Sequence, residues 1–204
     1  MLPKKLVAAV AALALLGGCA GGGGGFGQYS LIRPQPVSVA RGTMTVAPST
    51  AWNRIPRGVY DISREENWTL NGPLLDSLSF IGGLENNKRI VVQRRKADRK
   101  VPNFRSDMSP PEIAAMIESF YRIRGGATTF TMTNLSPRTF LGRPGFQFDY
   151  DYLGGDEVQR RGRAVGAIIN DRFYLALFDG AKSHYFPAGL PEYERIVAGA
   201  TLRS

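Results

Sequence analysis

The fold is decided by residues 145–178, GFQFDYDYLGGDEVQRRGRAVGAIINDRFYLALF, in which apolar and polar side chains alternate through much of the stretch. A period of two is typical of β-strands, whose successive side chains point to opposite faces of a sheet. Residues 145–153 form the first predicted strand, with four aromatic rings on one face and Asp149 and Asp151 on the other. The stretch therefore predicts a domain built around a sheet.

Two further strands follow with no helix between them. Residues 158–169 form one, and Asn170-Asp171 is a tight turn into residues 172–178, which are apolar on both faces. Strands joined by short turns pair in an antiparallel meander, and a strand buried on both faces belongs in the middle of its sheet. We therefore expect residues 172–178 to form a central strand.

Upstream of the meander, the motif SPPE at residues 109–112 is the clearest helix signal. Its serine is suited to cap free N–H groups, its first proline fits the first helical position, and its glutamate completes a capping box. Apolar side chains then recur at i, i+3, i+4 and i+7, and two glycines at 125–126 end the pattern. The sequence predicts a helix over residues 110–124 and a strand over 128–135.

The rest of the domain carries weaker signals. Residues 42–48, 68–70 and 89–94 predict short strands, whereas residues 74–84 are apolar with a mixed period that fits a strand or a helical turn. Towards the C-terminus, a proline followed by apolar residues at helical spacing predicts a helix over 191–201. The fold class is therefore α+β, an antiparallel sheet flanked by helices.

The order of these elements resembles a known group of folds. A helix, a run of strands, a last apolar strand over 172–178 and the terminal helix PEYERIVAGATL are similar to the α/β/α sandwich of the Mog1, PsbP and DcrB-like proteins. The resemblance covers residues 41–204 as a pattern of elements. It implies that shape and a role in binding or assembly, and it transfers no site residues.

The N-terminus carries an export signal. Two lysines precede the apolar run 6–16, which is too short to span about 30 Å of hydrocarbon. Leu-Gly-Gly-Cys at 16–19 resembles the bacterial lipobox, with glycine where alanine or serine is commoner at position 17. The resemblance implies cleavage before Cys19, acylation of its thiol and amine, and, from Ala20, sorting to the outer membrane. The alternative is an ordinary signal peptide with an incidental cysteine.

The chain divides into three predicted parts. Residues 1–18 are the signal peptide, residues 19–40 a lipidated cysteine on a flexible tether with glycines and prolines, and residues 41–204 a single α+β domain. Cys19 is the one cysteine of the sequence, so no disulfide bond can form within the chain. We expect the protein to be lipid-anchored in the cell envelope, on the outer membrane and facing the periplasm.

Catalytic motifs are scarce. The sequence contains no G-x-S-x-G, H-E-x-x-H or S-x-x-K motif, and His184 is its single histidine. A serine–histidine–aspartate triad would have to use His184, whose other interpretation is an exposed loop residue. Because one histidine and one lipid-committed cysteine leave only oxygen ligands, we expect no metal ion and no organic cofactor.

Asp149 and Asp151 are the remaining candidates for catalysis. They share a strand face, so their carboxylates can lie close together. Paired carboxylates serve as acid and base in hydrolysis, or bind calcium. The other interpretation is a solvated strand face opposite the aromatic one. A small envelope hydrolase that uses this face or His184 is therefore the alternative function.

Positive charge is concentrated in one segment. The formal net charge is +9, and residues 88–105 hold eight basic residues against one acidic residue. We assign binding of an anionic surface to Arg94, Arg95, Lys96, Arg99 and Lys100. Export excludes nucleic acid as the partner and leaves anionic lipid, lipopolysaccharide or a wall polymer. The alternative is a segment that serves only solubility.

A second basic cluster comprises Arg160, Arg161 and Arg163. Taken together, the features of the sequence favour an envelope lipoprotein that acts as a non-enzymatic binding or assembly module. A third possibility is a mainly structural subunit of a larger complex, which an exposed apolar patch would indicate. The sequence names no protein partner.

The lipobox yields the first testable prediction. Cys19→Ala should yield an unlipidated protein that is poorly processed and no longer firmly anchored, because only a thiol at this position accepts the lipid and the signal peptidase of lipoproteins acts on the lipidated form. The apolar run 6–16 would then be the one remaining anchor, and it is too short to span the bilayer. Metabolic labelling with a fatty acid and the mass of the mature N-terminus measure this. A wild-type protein without label, or with another N-terminal residue, would refute the lipobox.

Overall fold

The computed structural model describes residues 29–56, 65–91, 101–124 and 126–203. Eight strands form the main sheet, and three form a small second sheet. The strands of the main sheet are β1 (Ser30–Ile32), β4 (Trp52–Arg54), β5 (Glu65–Thr69), β6 (Asp76–Glu85), β7 (Thr129–Phe140), β8 (Arg143–Leu153), β9 (Gln159–Ile169) and β10 (Arg172–Ala181). The small sheet contains β2 (Val37–Val39), β3 (Met44–Val46) and β11 (Thr201–Leu202). Among the described residues, the α-helices are α1 (Pro110–Arg124) and α2 (Tyr185–Ala198), and a short 3-10 helix spans Ala40–Gly42.

The main sheet is antiparallel throughout, in the order β1-β4-β5-β6-β10-β9-β8-β7. The predicted meander is confirmed, since β7 to β10 are neighbours in chain order. The β9–β10 turn has positive φ at both central residues, 49° at Asn170 and 59° at Asp171. Such turns match the twist of the paired strands, and Asn and Asp tolerate this backbone better than most residues.

The central position of β10 is also confirmed. It lies between β6 and β9, and its residues from Phe173 to Gly180 are all buried. Phe173, Leu175 and Leu177 belong to one hydrophobic core, whereas alternate residues, including Phe178, belong to a second core on the other face. One strand therefore supplies side chains to two separate cores.

The two helices cover opposite faces of the main sheet. Side chains of α1 pack in the core with Phe173, on what we call the α1 face. Side chains of α2 and of the small sheet pack in the core with Phe178. The expected α+β class, with helices on both faces of an antiparallel sheet, is confirmed.

Helix α1 has the predicted bounds, and its capping box is formed in part. The backbone N–H of Ser109 donates to Glu112 at 2.8 Å, and the serine hydroxyl donates to the same carboxylate oxygen at 2.7 Å. Ile113 and Ile117 are buried on the sheet, as the apolar spacing predicts. These contacts set where α1 begins and which side of it faces the sheet.

The prediction for α2 is wrong at both ends, since the helix begins at Tyr185 and not at Pro191, and it ends at Ala198 and not at residue 201, which lies in β11. Proline inside a helix removes one backbone hydrogen bond and normally favours a break. Here packing prevails: the ring of Phe186 stacks on Phe178 at 5.9 Å, and Gly189 lies so close to Phe178 that a Cβ there would collide with the ring. Tertiary contacts of the first two turns therefore stabilise a helix that continues on both sides of Pro191.

Two other expectations differ from the structure. Residues 30–39, which we assigned to the tether, contain β1 and β2, and these pair with β4 and β3. Short three-residue strands in a proline-containing segment leave too few alternating positions for a period to be seen. The strand expected over residues 89–94 is absent from its described part, residues 89–91, which lie in an irregular segment after the turn at Asn87.

The undecided segment 74–84 falls largely in β6, a ten-residue strand. Its mixed period has two causes. Most of β6 is buried on both faces, and a change of register against β10 occurs near Gly83, where φ is +63°. Among the described residues, no helix is long and apolar enough to cross a membrane.

Candidate ligand-binding cleft

The α1 face of the main sheet changes from apolar to polar towards one end. Along β10, Leu175 and Leu177 are followed by Asp179 on the same face. Along β8, phenylalanines give way to Tyr150 and Tyr152. Because β6 and β9 place Ser79 and Arg160 at the same end, polar groups from four strands meet where the apolar core stops.

Asp179 is the centre of this polar region. It is 8% exposed, and its carboxylate is held by three tyrosine hydroxyls, which we call the tyrosine cage. Tyr121 donates to Oδ2 at 2.6 Å, Tyr152 donates to Oδ1 at 2.9 Å, and Tyr150 lies 3.4 Å from Oδ2. The hydroxyls of Tyr121 and Tyr150 also lie 2.7 Å apart. The cage thus joins α1 to β8 and β10 through one carboxylate.

Burial governs the protonation of these groups. Loss of solvent raises the pKa of Asp179, and the hydroxyls of Tyr121 and Tyr152 oppose that shift by donating to the charged form. Burial, together with the charge of Asp179, raises the pKa of Tyr121 and Tyr150 well above the usual range. The tyrosines therefore act as hydrogen-bond donors at all ordinary pH values.

A glycine without a side chain leaves room for the cage. Gly162 in β9 lies opposite Tyr150 in β8, and a Cβ at this glycine would collide with the tyrosine ring. The ring can therefore lie flat across β9 and bring its hydroxyl to Asp179. Gly162 is needed here for space and not for a special backbone angle.

Asp179 and two members of the cage, Tyr121 and Tyr152, line a cleft of about 590 Å³, which we call the α1-face cleft. This volume is in the range of sites that bind small organic molecules. Phe120, Tyr121 and Tyr152 supply aromatic walls, and Ser77, Ser79 and Asn67 supply polar groups of the floor. Leu74, at the rim, is 73% exposed. The cleft thus combines an apolar rim with a polar floor.

Arg160 is a buried cation at one side of the cleft, 8% exposed. Its two terminal nitrogens each lie 2.7 Å from an oxygen of Asp156, and one of them also donates to the carbonyl of Leu74 at 2.9 Å. The hydrogen bonds from Arg160 hold the pKa of Asp156 well below its usual range. The guanidinium therefore links Asp156 to the backbone of Leu74, and both of its terminal nitrogens already donate hydrogen bonds.

Asp149 and Asp151 share a face of β8, as predicted, but each is engaged in ion pairs. Asp149 accepts from Arg163 at 2.6 and 3.0 Å and from Asn134 at 3.0 Å. Although burial alone raises it, the pKa of Asp149 is lowered overall by these hydrogen bonds. Asp149 is therefore a structural partner of β9, fixed in an ion pair on the face away from the cleft.

Asp151 is similarly engaged. It accepts from Arg161 at 2.7 and 2.9 Å and from Lys182 at 2.9 Å. The hydrogen bonds from Arg161, followed by that from Lys182, lower the pKa of Asp151. A carboxyl group with a lowered pKa is a poor proton acceptor at neutral pH, and both Asp149 and Asp151 have their oxygens occupied by basic side chains.

His184 is exposed and precedes the first residue of α2, with its ring 5.0 Å from that of Tyr185. It is not among the residues that line the α1-face cleft. Within the described parts of the chain, no three histidine, cysteine, aspartate or glutamate residues are grouped so as to hold a metal ion.

The second basic cluster is not a free positive patch. Arg160, Arg161 and Arg163 are each paired with a carboxylate: Asp156, Asp151 and Asp149 respectively. Alternation along β9 also sends Arg160 to the α1 face and the other two to the opposite face. Cys19 and the five basic residues Arg94, Arg95, Lys96, Arg99 and Lys100 lie outside the described residues.

Sequence reasoning missed Asp179 and its cage. Two signals were present: the aromatic face of FQFDYDY changes from phenylalanine to tyrosine, and the apolar strand LALF is followed at once by an aspartate. A buried tyrosine usually finds a partner for its hydroxyl, so the change from Phe to Tyr indicates where polar partners lie. The contribution of Tyr121 from α1, 58 residues away from Asp179, has no local signal.

An antiparallel sheet between helices is the architecture of the PsbP-like fold. Among solved structures, the solution structure of cyanobacterial PsbP (CyanoP) from Synechocystis sp. PCC 6803 aligns with a TM-score of 0.56 and 14% identity, over 91% of this chain and 100% of that one. This likeness confirms the PsbP-like fold.

A second solved structure is LpqN, described as involved in cell envelope biogenesis of Mycobacterium tuberculosis. It aligns with a TM-score of 0.44 and 11% identity, over 87% of this chain and 93% of that one. No family model matches the sequence. No curated protein matches it significantly either.

The raised pKa of Asp179 predicts the sign of a pH effect on stability. Its contribution is fully present below the unfolded pKa of about 3.9 and is lost as pH rises through the folded pKa. Compared with Asp179→Asn, the wild type should therefore lose free energy of unfolding as pH rises from about 4 towards neutrality. Urea unfolding over this pH range measures the difference.

Asp151→Asn is the matched control for this experiment. Because the pKa of Asp151 is lowered in the folded protein, its contribution is present above the unfolded pKa and is lost as pH falls below about 4. The two differences should therefore run in opposite directions. A difference between wild type and Asp179→Asn that stays constant with pH would show that Asp179 titrates as it does in the unfolded chain.

Proposed function

We propose that the protein is a lipid-anchored lipoprotein of the cell envelope, on the outer membrane and facing the periplasm, and that it acts as a non-enzymatic binding module. The α1-face cleft is its binding site. The observation that carries this proposal is the buried carboxylate of Asp179, fixed by the tyrosine cage at the wall of a cleft of about 590 Å³. Fixed polar groups in a concave, partly apolar site are typical of ligand recognition.

The state of the carboxylates supports binding over catalysis. Proton transfer needs a group whose pKa lies near the working pH and which can reach the substrate. Asp149, Asp151 and Asp156 have lowered pKa values in ion pairs. Asp179 accepts hydrogen bonds on both of its oxygens. The three ion-paired aspartates therefore serve better as fixed charges than as proton carriers, and Asp179, whose pKa is raised, has both oxygens occupied by tyrosine hydroxyls.

Site-specific photo-crosslinking in intact cells tests the cleft. A photoreactive amino acid at Ser77, which is half-buried in the floor, should capture a bound ligand. The same amino acid at Asp171, in an exposed turn at the other end of β10, is the control. Mass spectrometry of the labelled peptides should find an added mass at position 77 alone. Equal labelling at both positions, or none at 77, would contradict a ligand-binding cleft.

We further propose that the segment containing Arg94, Arg95 and Lys96 contacts an anionic envelope surface, such as lipid, lipopolysaccharide or wall polymer. Each basic residue near an anionic membrane contributes about 1 kcal/mol. A chain that starts after Cys19 should bind anionic vesicles in preference to neutral ones, and added salt should weaken binding. Replacing these three residues with glutamine should weaken it as well, as measured by vesicle flotation.

Three exposed arginines elsewhere provide the control with the same loss of charge: Arg33, Arg143 and Arg203, each replaced with glutamine. If this control weakens binding as much as the first variant, net charge is responsible and the segment has no special role. Equal binding to neutral vesicles would also refute the proposal. Circular dichroism shows whether each variant is folded.

A further inference from the structure

The described lining of the α1-face cleft is mainly acidic, opposite in sign to the net charge of the chain. The sequence has a formal net charge of +9. The described residues that line the cleft nevertheless include four carboxylates and one guanidinium. These residues are Glu65, Asp76, Asp156, Asp179 and Arg160. A cleft lined by one sign of charge concentrates ligands of the other sign.

Neutral donors hold the two most buried of these carboxylates. Asp76 is 3% exposed and accepts from the Thr69 hydroxyl at 2.7 Å, the Leu70 N–H at 2.7 Å and the Asn71 N–H at 3.1 Å. Asp179 accepts from tyrosine hydroxyls. Hydroxyl and amide donors fix the position of a carboxylate without cancelling its charge.

The one cation of the described lining is already engaged. Arg160 directs both terminal nitrogens at Asp156, and this pair is close to neutral as a unit. Among the described lining residues, an anionic ligand would therefore meet no guanidinium that is not already paired with a carboxylate. The described lining thus favours a cationic ligand over an anionic one.

The aromatic walls favour the same class of ligand. Phe120, Tyr121 and Tyr152 line the cleft beside Asp179. The faces of aromatic rings attract ammonium groups, and more strongly where water is excluded. The rim residues Ile55 and Leu74 provide apolar contact for the carbon framework of such a ligand.

We infer that the α1-face cleft binds a small organic cation, a molecule that carries a primary ammonium group on an aliphatic chain or a sugar ring. This inference rests on the proposed function of the cleft. The ammonium group is placed beside Asp179 and the aromatic walls, and the carbon framework lies towards Leu74.

Isothermal titration of the full-length protein in a non-ionic detergent tests the inference with four probes at about pH 6.5, where amines are protonated. 1,4-Diaminobutane carries ammonium groups on an aliphatic chain, and glucosamine carries one on a sugar ring. N-acetylglucosamine is the neutral match of glucosamine, and succinate is an anion of similar length to the diamine. At least one ammonium probe should bind about tenfold more tightly than N-acetylglucosamine and succinate, a difference of about 1.4 kcal/mol.

Two variants and a control locate the binding. Asp179→Asn should weaken binding of the ammonium probe about tenfold, because a charge-assisted hydrogen bond is replaced by a neutral one. Asp171→Asn removes the same charge from a turn in which asparagine is well tolerated, and it should bind like the wild type. Ser77→Lys puts an ammonium group into the cleft at the residue that pairs with Asp179 between β6 and β10, so it should occupy the place of the ligand's ammonium group and abolish binding.

The results separate this inference from the proposed function. If N-acetylglucosamine or succinate binds as tightly as the ammonium probes and Ser77→Lys abolishes that binding, the cleft is a binding site but does not select cations. The inference would then be wrong and the proposed function would stand. The inference would also be wrong if neither ammonium probe binds, or if Asp179→Asn and Asp171→Asn lose the same amount of affinity for the ammonium probe. The photo-crosslinking at position 77 tests the proposed function independently.

Discussion

The structure depends on the burial of β10 on both of its faces. A strand in this position must supply a well-packed side chain to two cores at once, and β10 does so with Leu175 and Leu177 on the α1 face and Phe178 on the other. Phe178 in turn receives Phe186 and Gly189, which sets where α2 begins. The apolar series on the α1 face ends at Asp179, so the position of the cleft follows from where β10 ceases to be apolar.

This constraint explains which parts of the fold the sequence predicted. The meander and α1 were predicted because their signals are local: alternation in residues 145–178, and a cap at Ser109. The start of α2 and the strands β1 and β2 were not predicted, because they depend on contacts with residues far away in the sequence. Contacts with Phe178 stabilise the part of α2 that precedes Pro191. The strands β1 and β2 form by pairing with β4 and β3 respectively. Local propensity is overridden where packing is decisive.

The same reasoning separates charges that can be interpreted from sequence from those that cannot. Asp149 and Asp151 were correctly placed on one strand face, but their partners Arg163 and Arg161 lie on the neighbouring strand in direct register. Cross-strand pairs of opposite charge stabilise a sheet, so the two aspartates of β8 and the two arginines of β9 form ion pairs that stabilise the pairing of these strands. Asp179, in contrast, is held by hydroxyls from α1 and β8. Its role is visible only once strand order brings these elements together.

Stability alone gives little reason for a carboxylate at the position of Asp179. Removing a carboxylate from water costs several kcal/mol, and hydrogen bonds to a charged group return about 1.5–3 kcal/mol each. The three donors therefore roughly offset the burial, whereas an apolar residue like Leu177 would extend the core without that cost. Tyr150 further requires the space left by Gly162, so the cage constrains β9 as well. A carboxylate with a raised pKa that lines a cleft, and does not lie in the middle of the core, is an arrangement that functional sites often show.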